Sequence, residues 1–186
     1  MNFSALAIAP GIVLSPVGPD DAEAVCQAYL RNREHLRPWE PRRPESFFTV
    51  AGQAARLAEL AQNREAGRAM PSLLRADDGT VIGVVNLSGI AMGAFRNALI
   101  GYWIDAGLTG RGLATAAVTA VCRLAGEQLG LHRVEAGTVL ENVGSQKVLA
   151  NCGFEHVGTA RNYLHIDGSW RDHAMFQKIL NDRDPV

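Results

Sequence analysis

The chain has 186 residues, of which 47% are hydrophobic and 20% are charged, and its formal net charge is -1. This length suits one domain with a hydrophobic core of its own, so we expect a single domain over residues 1–186. The composition excludes a disordered chain, and the balanced charge gives no sign of general nucleic-acid binding. No stretch approaches the roughly 18 consecutive apolar residues of a membrane-spanning helix, so we expect no membrane partner.

The cysteines and the amino-terminal segment indicate a cytoplasmic protein. Cys26, Cys122 and Cys152 are widely separated and odd in number, so they predict buried thiols in a reducing compartment rather than disulfides or a CxxC metal site. The five histidines also lack metal-ligand spacing, and we expect no metal. No Lys or Arg precedes the apolar run at the amino terminus, and Pro10 and Gly11 interrupt it, which favours a first strand over a signal peptide.

In the first half of the chain, hydrophobic periodicity predicts one strand, two helices and a strand meander. Gly18 and the Pro-Asp-Asp that follows it mark the start of the first helix, and three prolines exclude a helix over residues 35–44. In chain order the predicted elements are a strand at 12–17, a helix running to residue 32, a shaped loop at 35–44, a helix at 49–65, and strands at 70–75, 81–90 and 98–105.

The second half begins with a glycine loop and continues as a strand, a helix and a hairpin. The predicted elements are a helix at 112–128, a strand at 133–140, a helix at 142–151, and strands at 154–166 and 169–178 around the turn Asp167-Gly168. This order predicts a mixed α+β fold with antiparallel strands and one parallel crossover.

The loop between the strand ending at Asp105 and the next helix carries Gly110 and Gly112. Glycines let the backbone approach a phosphate closely, and the N-terminus of the following helix favours an anion. Arg111 adds a charged contact in this interpretation. Two glycines separated by one residue are equally compatible with a plain structural turn, so the pattern alone leaves both interpretations open.

Two well-known phosphate-binding motifs fit this loop poorly. A P-loop needs a Lys directly after its second glycine, and none stands here. A dinucleotide-binding fold fits slightly better, because Glu135 follows at very roughly the expected separation, but Thr115 stands at the third glycine position. That fold would also open with the motif in its first strand-helix unit, whereas here two helices and a strand meander precede the glycine loop. We therefore disfavour a dinucleotide-binding fold.

The segment Thr-Gly-Arg-Gly-Leu-Ala at 109–114 resembles motif A of the GNAT superfamily of N-acetyltransferases, usually Gln/Arg-x-x-Gly-x-Gly/Ala. Gly112 and Ala114 match its last two fixed positions, whereas Thr109 stands where Gln or Arg is usual. Further along, Asn142-x-x-Ser145 and the Cys-Gly-Phe at 152–154 are similar to the helix and strand that follow in the superfamily.

Three other segments narrow the resemblance to the RimJ/RimL branch, the ribosomal-protein N-terminal acetyltransferases, and bring it closest to the alanine-directed RimJ type. They are Asn-Arg-x-x-Leu-Arg-Pro-Trp-Glu-Pro at 32–41, Gly-Tyr at 101–102, and Tyr-Leu-x-Ile-Asp-Gly-x-Trp-Arg-Asp-His at 163–173. The Trp-Glu-Pro and Trp-Arg-Asp-His segments are far more specific than the two glycines. The resemblance covers nearly the whole chain.

The resemblance implies a GNAT fold, with a central, twisted, mostly antiparallel sheet of about seven strands, a V-shaped splay at the cofactor site and about four helices. It also implies acetyl-CoA as co-substrate and direct attack of a neutral amine on the thioester. The residues implied for cofactor binding, mainly through backbone groups, are Trp103, Ile104, Thr109, Gly110, Arg111, Gly112, Leu113, Ala114, Thr115, Asn142 and Ser145.

Ser145 is implied as the residue that hydrogen-bonds or protonates the departing sulfur. Spacing alone favours an ordinary helix cap formed by Asn142, and the catalytic role comes from the resemblance. Glu40 lies in the Pro-rich loop that borders the acceptor site by resemblance, so it is the candidate base and ammonium partner, with a solvent-facing acid among arginines as the alternative. Trp39, Glu40 and Tyr102 are the candidate substrate-binding residues.

The expected function is transfer of acetyl to a primary amine, above all the N-terminal α-amine of a protein of the ribosomal alanine or serine type. Two alternatives stay open. One is acetylation of a small amine such as an antibiotic, a polyamine or an amino acid. The other is a module that binds acetyl-CoA without turnover, because Thr109 departs from the motif and Leu164 stands where some relatives carry Glu. The sequence is compatible with a homodimer but leaves the oligomeric state open.

Overall fold

The computed structural model of the protein describes residues 3–185. Within that range the chain forms eight β-strands, five α-helices and three short 3₁₀ turns. The strands and helices in chain order are β1 (Leu6–Ala9), β2 (Ile12–Pro16), α1 (Ala22–Arg31), α2 (Arg33–Leu36), α3 (Val50–Glu65), β3 (Met70–Ala76), β4 (Val81–Ala91), β5 (Asn97–Ile104), α4 (Leu113–Glu127), β6 (Arg133–Val139), α5 (Val143–Asn151), β7 (Glu155–Ile166) and β8 (Ser169–Ile179). The 3₁₀ turns are Pro19–Asp21, Glu45–Phe48 and Ala106–Leu108.

All eight described strands belong to one sheet in the order β1-β2-β3-β4-β5-β6-β8-β7. Neighbouring strands of this sheet run antiparallel except β5 and β6, which are parallel and are joined by the crossover through α4. The predicted mixed α+β fold with one parallel crossover is therefore confirmed. The periodicity also placed most elements to within one or two residues of their observed bounds.

The structure has one strand and one helix more than predicted. Pro10 and Gly11 form a tight turn between β1 and β2, with Leu6 opposite Leu14 and a φ of +71° at Gly11. These two residues thus connect a pair of strands, where the sequence predicted one strand interrupted at its start. The additional helix is the single turn α2, so the helical region extends to Leu36, two residues before Pro38, where the sequence predicted a loop from residue 35 onward.

Two hydrophobic cores cover the two faces of the sheet. Helices α4 and α5 bury residues such as Val121 and Leu149 on one face, together with Ile100 of β5. Helices α1 and α3 bury residues such as Leu57 on the other face, together with Trp103 of β5. Because successive side chains of a strand point to opposite faces, β5 contributes to both cores.

The two parallel strands at the centre of the sheet are paired over only part of their length. Backbone pairing between β5 and β6 covers Asn97–Leu99 opposite Arg133–Glu135 and then ends. Beyond that point β5 stays paired with β4 as far as Ile104, and β6 stays paired with β8 as far as Val139. The strands therefore diverge in the middle of the sheet, which confirms the predicted V-shaped splay.

Candidate active site

The glycine loop leads into α4 directly beside the splay. Gly110 and Gly112 have φ values of +75° and +74°, and Gly112 is the residue that precedes the first turn of α4. A Cβ added at either glycine would meet no atom within 4 Å, so open space lies in front of both. Since no side chain caps this helix start, its first N–H groups are available to an anion.

Most side chains of the glycine loop hydrogen-bond within the loop or pack against the core, so they are not directed at a ligand. The Thr109 hydroxyl donates to the Ala106 carbonyl at 3.1 Å, within the loop itself. Leu113 is buried in the core, Ala114 and Thr115 are half-buried, and Arg111 is exposed. The loop therefore offers an anion its backbone N–H groups and the free guanidinium end of Arg111.

Tyr102 and Ser145 meet on the face of the sheet that α4 and α5 cover. The Tyr102 hydroxyl lies 2.9 Å from the Ser145 Oγ and also donates to the Ser145 carbonyl at 3.1 Å. Asn142 caps α5 because its Oδ1 accepts the Ser145 N–H at 3.0 Å. The cap and the hydroxyl pair thus fix Ser145 in the first turn of α5, opposite the diverging end of β5.

Burial raises the pKa of the Tyr102 phenol to about 12, although the hydrogen bond with Ser145 acts in the opposite direction. Tyr102 is therefore neutral, with its proton in place, throughout the range in which amines lose theirs. The pair is a chain of two hydroxyl groups that can donate to an atom placed in the splay.

The opposite face of β5 carries Gly101 and Trp103. The Trp103 indole donates to the Tyr29 hydroxyl at 3.2 Å and is buried in the second core. Gly101 is exposed, and a Cβ there would meet no atom within 4 Å. Ile104 is buried on the α4 face. Backbone groups of Trp103 and Ile104 lie on the part of β5 that β6 leaves unpaired.

A cleft of about 290 Å³ opens on the α1 and α3 side of the molecule. Its walls come from α2 and the Pro-rich loop, from the 3₁₀ turn Glu45–Phe48, and from the turn between β7 and β8. The lining residues are the arginines Arg33, Arg37, Arg42 and Arg43, the acids Glu40, Glu45 and Asp167, and the apolar or aromatic residues Tyr29, Leu36, Pro41, Phe47 and Phe48.

Glu40 is the most enclosed acid of this cleft. Its side chain is 24% exposed and its Oε2 lies 3.8 Å from the Arg43 Nη2. Burial raises the pKa of Glu40 above its ordinary value, and the positive charges of Arg43 and Arg56 reduce this effect. The structure does not bring Trp39 into the same cleft: it is half-buried and absent from the lining.

Several residues that shape this region were not predicted from the sequence. Tyr29 and Phe47 pack edge to face at 4.8 Å in the wall of the cleft. Asn32 and Asp105 are joined by a hydrogen bond of 3.0 Å, although 73 positions separate them in the chain. The sequence contained one signal for each of Asp105 and Asn32. Asp105 ends the strand before the glycine loop, and Asn32 begins the segment that resembles the RimJ/RimL branch.

The described residues contain neither a metal-binding cluster nor a membrane-spanning helix. Across residues 3–185, no group of three or more His, Cys, Asp or Glu side chains is arranged to hold a metal ion. No helix in that same range has the length and apolar character needed to cross a membrane. Cys26, Cys122 and Cys152 are all buried, and none of them forms a disulfide.

The chain matches the family model described as "Acetyltransferase (GNAT) domain" over residues 12–155. It is 36% identical over 174 residues to the probable N-acetyltransferase YjcK of Bacillus subtilis (strain 168), covering 93% of this chain and 96% of the relative. It is 37% identical over 175 residues to the [ribosomal protein uS5]-alanine N-acetyltransferase of Escherichia coli (strain K12), covering 94% of this chain and 90% of the relative.

Two solved structures are similar over most of their length. The ribosomal-protein-S5-alanine acetyltransferase of Vibrio fischeri superposes with a TM-score of 0.93 at 32% identity, covering 97% of this chain and 99% of that one. Mycobacterium smegmatis RimJ in complex with CoA-disulfide superposes with a TM-score of 0.86 at 34% identity, covering 90% and 81% respectively.

Proposed function

The chain belongs to the acetyltransferase (GNAT) family, and we propose that the acceptor of this acetyl-CoA-dependent N-acetyltransferase is the N-terminal α-amine of a protein, of the ribosomal alanine or serine type. Acetyl-CoA supplies the activated thioester, and the chain supplies binding, orientation and hydrogen-bond donors. The alanine-directed relatives support this acceptor class, and the splay of β5 and β6 beside the Tyr102 and Ser145 hydroxyl pair supports a site where an amine can meet the thioester.

The glycine loop is the proposed site for the pyrophosphate of acetyl-CoA. Backbone N–H groups from Gly110 to Ala114 would hold it, aided by the N-terminus of α4 and by Arg111. Backbone groups of Trp103 and Ile104 on the open side of β5 would hold the pantetheine arm and the acetyl group. Asn142 would contact the cofactor in addition to capping α5.

Ser145 and Tyr102 are the proposed donors to the sulfur that leaves. When the amine attacks, the C–S bond breaks and the thiolate needs a proton or a strong hydrogen bond. Ser145 stands at the splay, and the buried, protonated Tyr102 can turn its proton from the Ser145 carbonyl to the Ser145 Oγ along the 2.9 Å contact, which leaves the Oγ proton for the sulfur. This assigns Ser145 as the catalytic acid and gives Tyr102 a supporting role on the sulfur side.

The cleft on the opposite face is the proposed acceptor site. The amine would approach through the space in front of Gly101 and reach the thioester across the splay. The Glu40 carboxylate would pair with the ammonium form of the N-terminus and orient it, and it would accept the proton that the amine must lose. Of the other two residues predicted to bind the substrate, Trp39 lies outside the observed cleft, and Tyr102 lies on the opposite face of β5 beside Ser145.

Replacement of Glu40 by Gln is expected to raise the KM for a peptide about fivefold, because a partly exposed ion pair contributes about 1 kcal/mol. It should also lower kcat, by less than the roughly 100-fold typical of a lost general base, because water can accept the proton of an α-amine in place of Glu40. Steady-state kinetics with an alanine-starting peptide measures this. Because burial raises the pKa of Glu40, its charged form disfavours folding at neutral pH, so Glu40→Gln should not lower Tm.

Glu34→Gln is the matched control for that variant. Glu34 also lies 3.7 Å from an arginine three residues away, Arg37, but it does not line the cleft. Its replacement should leave the KM for the peptide unchanged. Equal effects of the two variants would show that Glu40 has no specific role in acceptor binding.

The decisive experiment follows CoA release from acetyl-CoA with peptides that begin with Ala or Ser, and in parallel with polyamines, aminoglycosides and free amino acids. For an α-amine, with a pKa near 8, kcat/KM should rise about tenfold per pH unit up to about pH 8 and then level off. For an aliphatic amine it should rise to about pH 10. Silence on all peptides, with turnover of one small amine, would overturn the proposed acceptor class.

Several wider properties stay predictions of the same proposal. We infer one acetyltransferase domain over residues 1–186 and a cytoplasmic location, where ribosomal proteins are made. The lack of general nucleic-acid binding is a prediction from the charge balance, whereas the sequence leaves the oligomeric state open and is compatible with a homodimer. Acetyl-CoA binding without CoA release on any acceptor would instead favour a module that binds the co-substrate without turnover.

A further inference from the structure

A buried polar network ties the end of α1 to the start of the glycine loop. Asn32 is 0% exposed, yet both ends of its amide are used. Its Nδ2 donates to Asp105 Oδ2 at 3.0 Å and to the Ala28 carbonyl at 2.9 Å, and its Oδ1 accepts the Ala106 N–H at 2.9 Å. The side chain that follows the last residue of α1 therefore holds two consecutive residues of the segment that leads to the glycines.

Asp105 is the centre of this network. Its Oδ2 also accepts from the Arg31 Nε at 2.7 Å, and its Oδ1 accepts the Gly107 N–H at 3.1 Å. Partial burial raises the pKa of Asp105, but the hydrogen bonds from Asn32, Arg31 and Gly107 outweigh it and hold the pKa below its usual value. The Asp105 N–H donates to the Ile82 carbonyl at 2.8 Å, which anchors the network to β4.

The same network reaches the glycines through Ala106. Asn32 holds the N–H of Ala106, and the Thr109 hydroxyl donates to the carbonyl of the same residue at 3.1 Å. Gly110 follows Thr109 directly. On the other side, the Asn32 carbonyl accepts the Leu36 N–H at 2.9 Å and so holds α2, which lines the acceptor cleft.

We propose that Asn32, Asp105 and Thr109 are positioning residues that hold the glycine loop in its binding conformation and in a fixed relation to the wall of the acceptor cleft. Asn32 is fully buried and cannot touch a ligand, so it acts through Ala106 and Asp105 alone. Thr109 acts through Ala106 and needs no contact with the cofactor. This inference rests on the proposed cofactor role of residues 110–114 and is independent of which amine accepts the acetyl group.

The first test compares Asp105→Asn with Asp21→Asn. Asp21 is a matched control, because it also accepts a backbone N–H, from Gly18 at 2.7 Å, and pairs with an arginine, Arg75, at 2.6 Å, but lies at the start of α1. Calorimetry with CoA should show a Kd about tenfold higher for Asp105→Asn and an unchanged Kd for Asp21→Asn, since hydrogen bonds to a charged group are the stronger kind. Similar Kd values for the two variants would overturn the proposal.

The second test uses Thr109, which is exposed, so its replacement leaves the core intact. Thr109→Val should raise the Kd for CoA about three- to fivefold, whereas Thr109→Ser, which keeps the hydroxyl, should restore it. In steady-state kinetics the KM for acetyl-CoA should rise with little change in kcat at saturation. An unchanged Kd in Thr109→Val, or no rescue by Ser, would contradict the assigned role.

A double variant distinguishes a Thr109 that acts through the loop conformation from a Thr109 that contacts the cofactor directly. If Asp105 and Thr109 act through one loop conformation, the Kd of Asp105→Asn with Thr109→Val should rise by less than the product of the two single effects. Fully multiplicative effects would mean that Thr109 touches the cofactor by itself, and the proposal would fail for it. Failure of every peptide as acceptor would leave these CoA affinities unaffected, so the two proposals fail independently.

Discussion

Replacement of Ser145 by Ala is expected to lower kcat about 100-fold, which is the lower end of the effect of a general acid. The C–S bond would then break without a donor at the sulfur, since Tyr102 reaches this region through its 2.9 Å contact with the Ser145 Oγ. The Kd for acetyl-CoA should stay close to that of the parent protein, because the glycine loop is untouched. Single-turnover measurements with a saturating peptide, together with calorimetry, separate these two effects.

Tyr102→Phe should lower kcat less than Ser145→Ala, and the double variant should be no slower than Ser145→Ala alone, because groups that act as a unit are not additive. Ser15→Ala is the control: Ser15 accepts a hydrogen bond from Arg75 at 3.0 Å and lies outside the site. Parent-like turnover by Ser145→Ala would remove the proposed acid from the mechanism and would favour direct protonation of the thiolate by solvent.

The second large effect concerns affinity for the co-substrate. Gly112→Ala should weaken CoA binding about 30-fold, or on the order of 2 kcal/mol, because left-handed backbone costs an L-residue about 1–2 kcal/mol and the new Cβ would occupy ligand space. Gly112 has a φ of +74° with nothing within 4 Å of a Cβ. The helix start would shift out of the conformation that presents its N–H groups. Calorimetry with CoA measures the loss directly.

Gly79→Ala is the matched control for this effect. Gly79 has a φ of +85° and equally open surroundings, but it lies in the turn between β3 and β4. Both substitutions introduce the same backbone strain, so both should lower Tm to a similar extent. Only Gly112→Ala should weaken CoA binding, and equal Kd values in the two variants would exclude the glycine loop as the pyrophosphate site.

Most of the fold was predictable because its elements are regular and punctuated by Gly and Pro. The apolar spacing of α4 and the strand-glycine-helix order around Gly110 were sufficient to locate the loop. Strand β1 was missed because a four-residue strand carries little periodicity, and its hairpin turn at Pro10 and Gly11 resembled an interruption. The single turn α2 was missed because the prolines that follow it led to a predicted loop from residue 35 onward.

The contacts within the site were less predictable than its elements. The Tyr102 and Ser145 hydroxyl groups meet across 43 positions of chain, because β5 diverges from β6 where α5 begins. No local pattern encodes such a contact. The resemblance named both residues but gave them separate roles, as substrate-binding and as catalytic residues. Asn32 and Asp105 likewise meet only because the end of α1 crosses the end of β5.

The splay also makes the centre of the sheet behave as an edge. In residues 100–104 of β5, alternate amide groups point toward β6 but find no strand there. These amides should exchange with deuterium far faster than their neighbours that pair with β4, although both belong to one central strand. If the backbone of Trp103 and Ile104 holds acetyl-CoA as proposed, the ligand should slow the fast set selectively, because it would form hydrogen bonds with amides that no strand pairs.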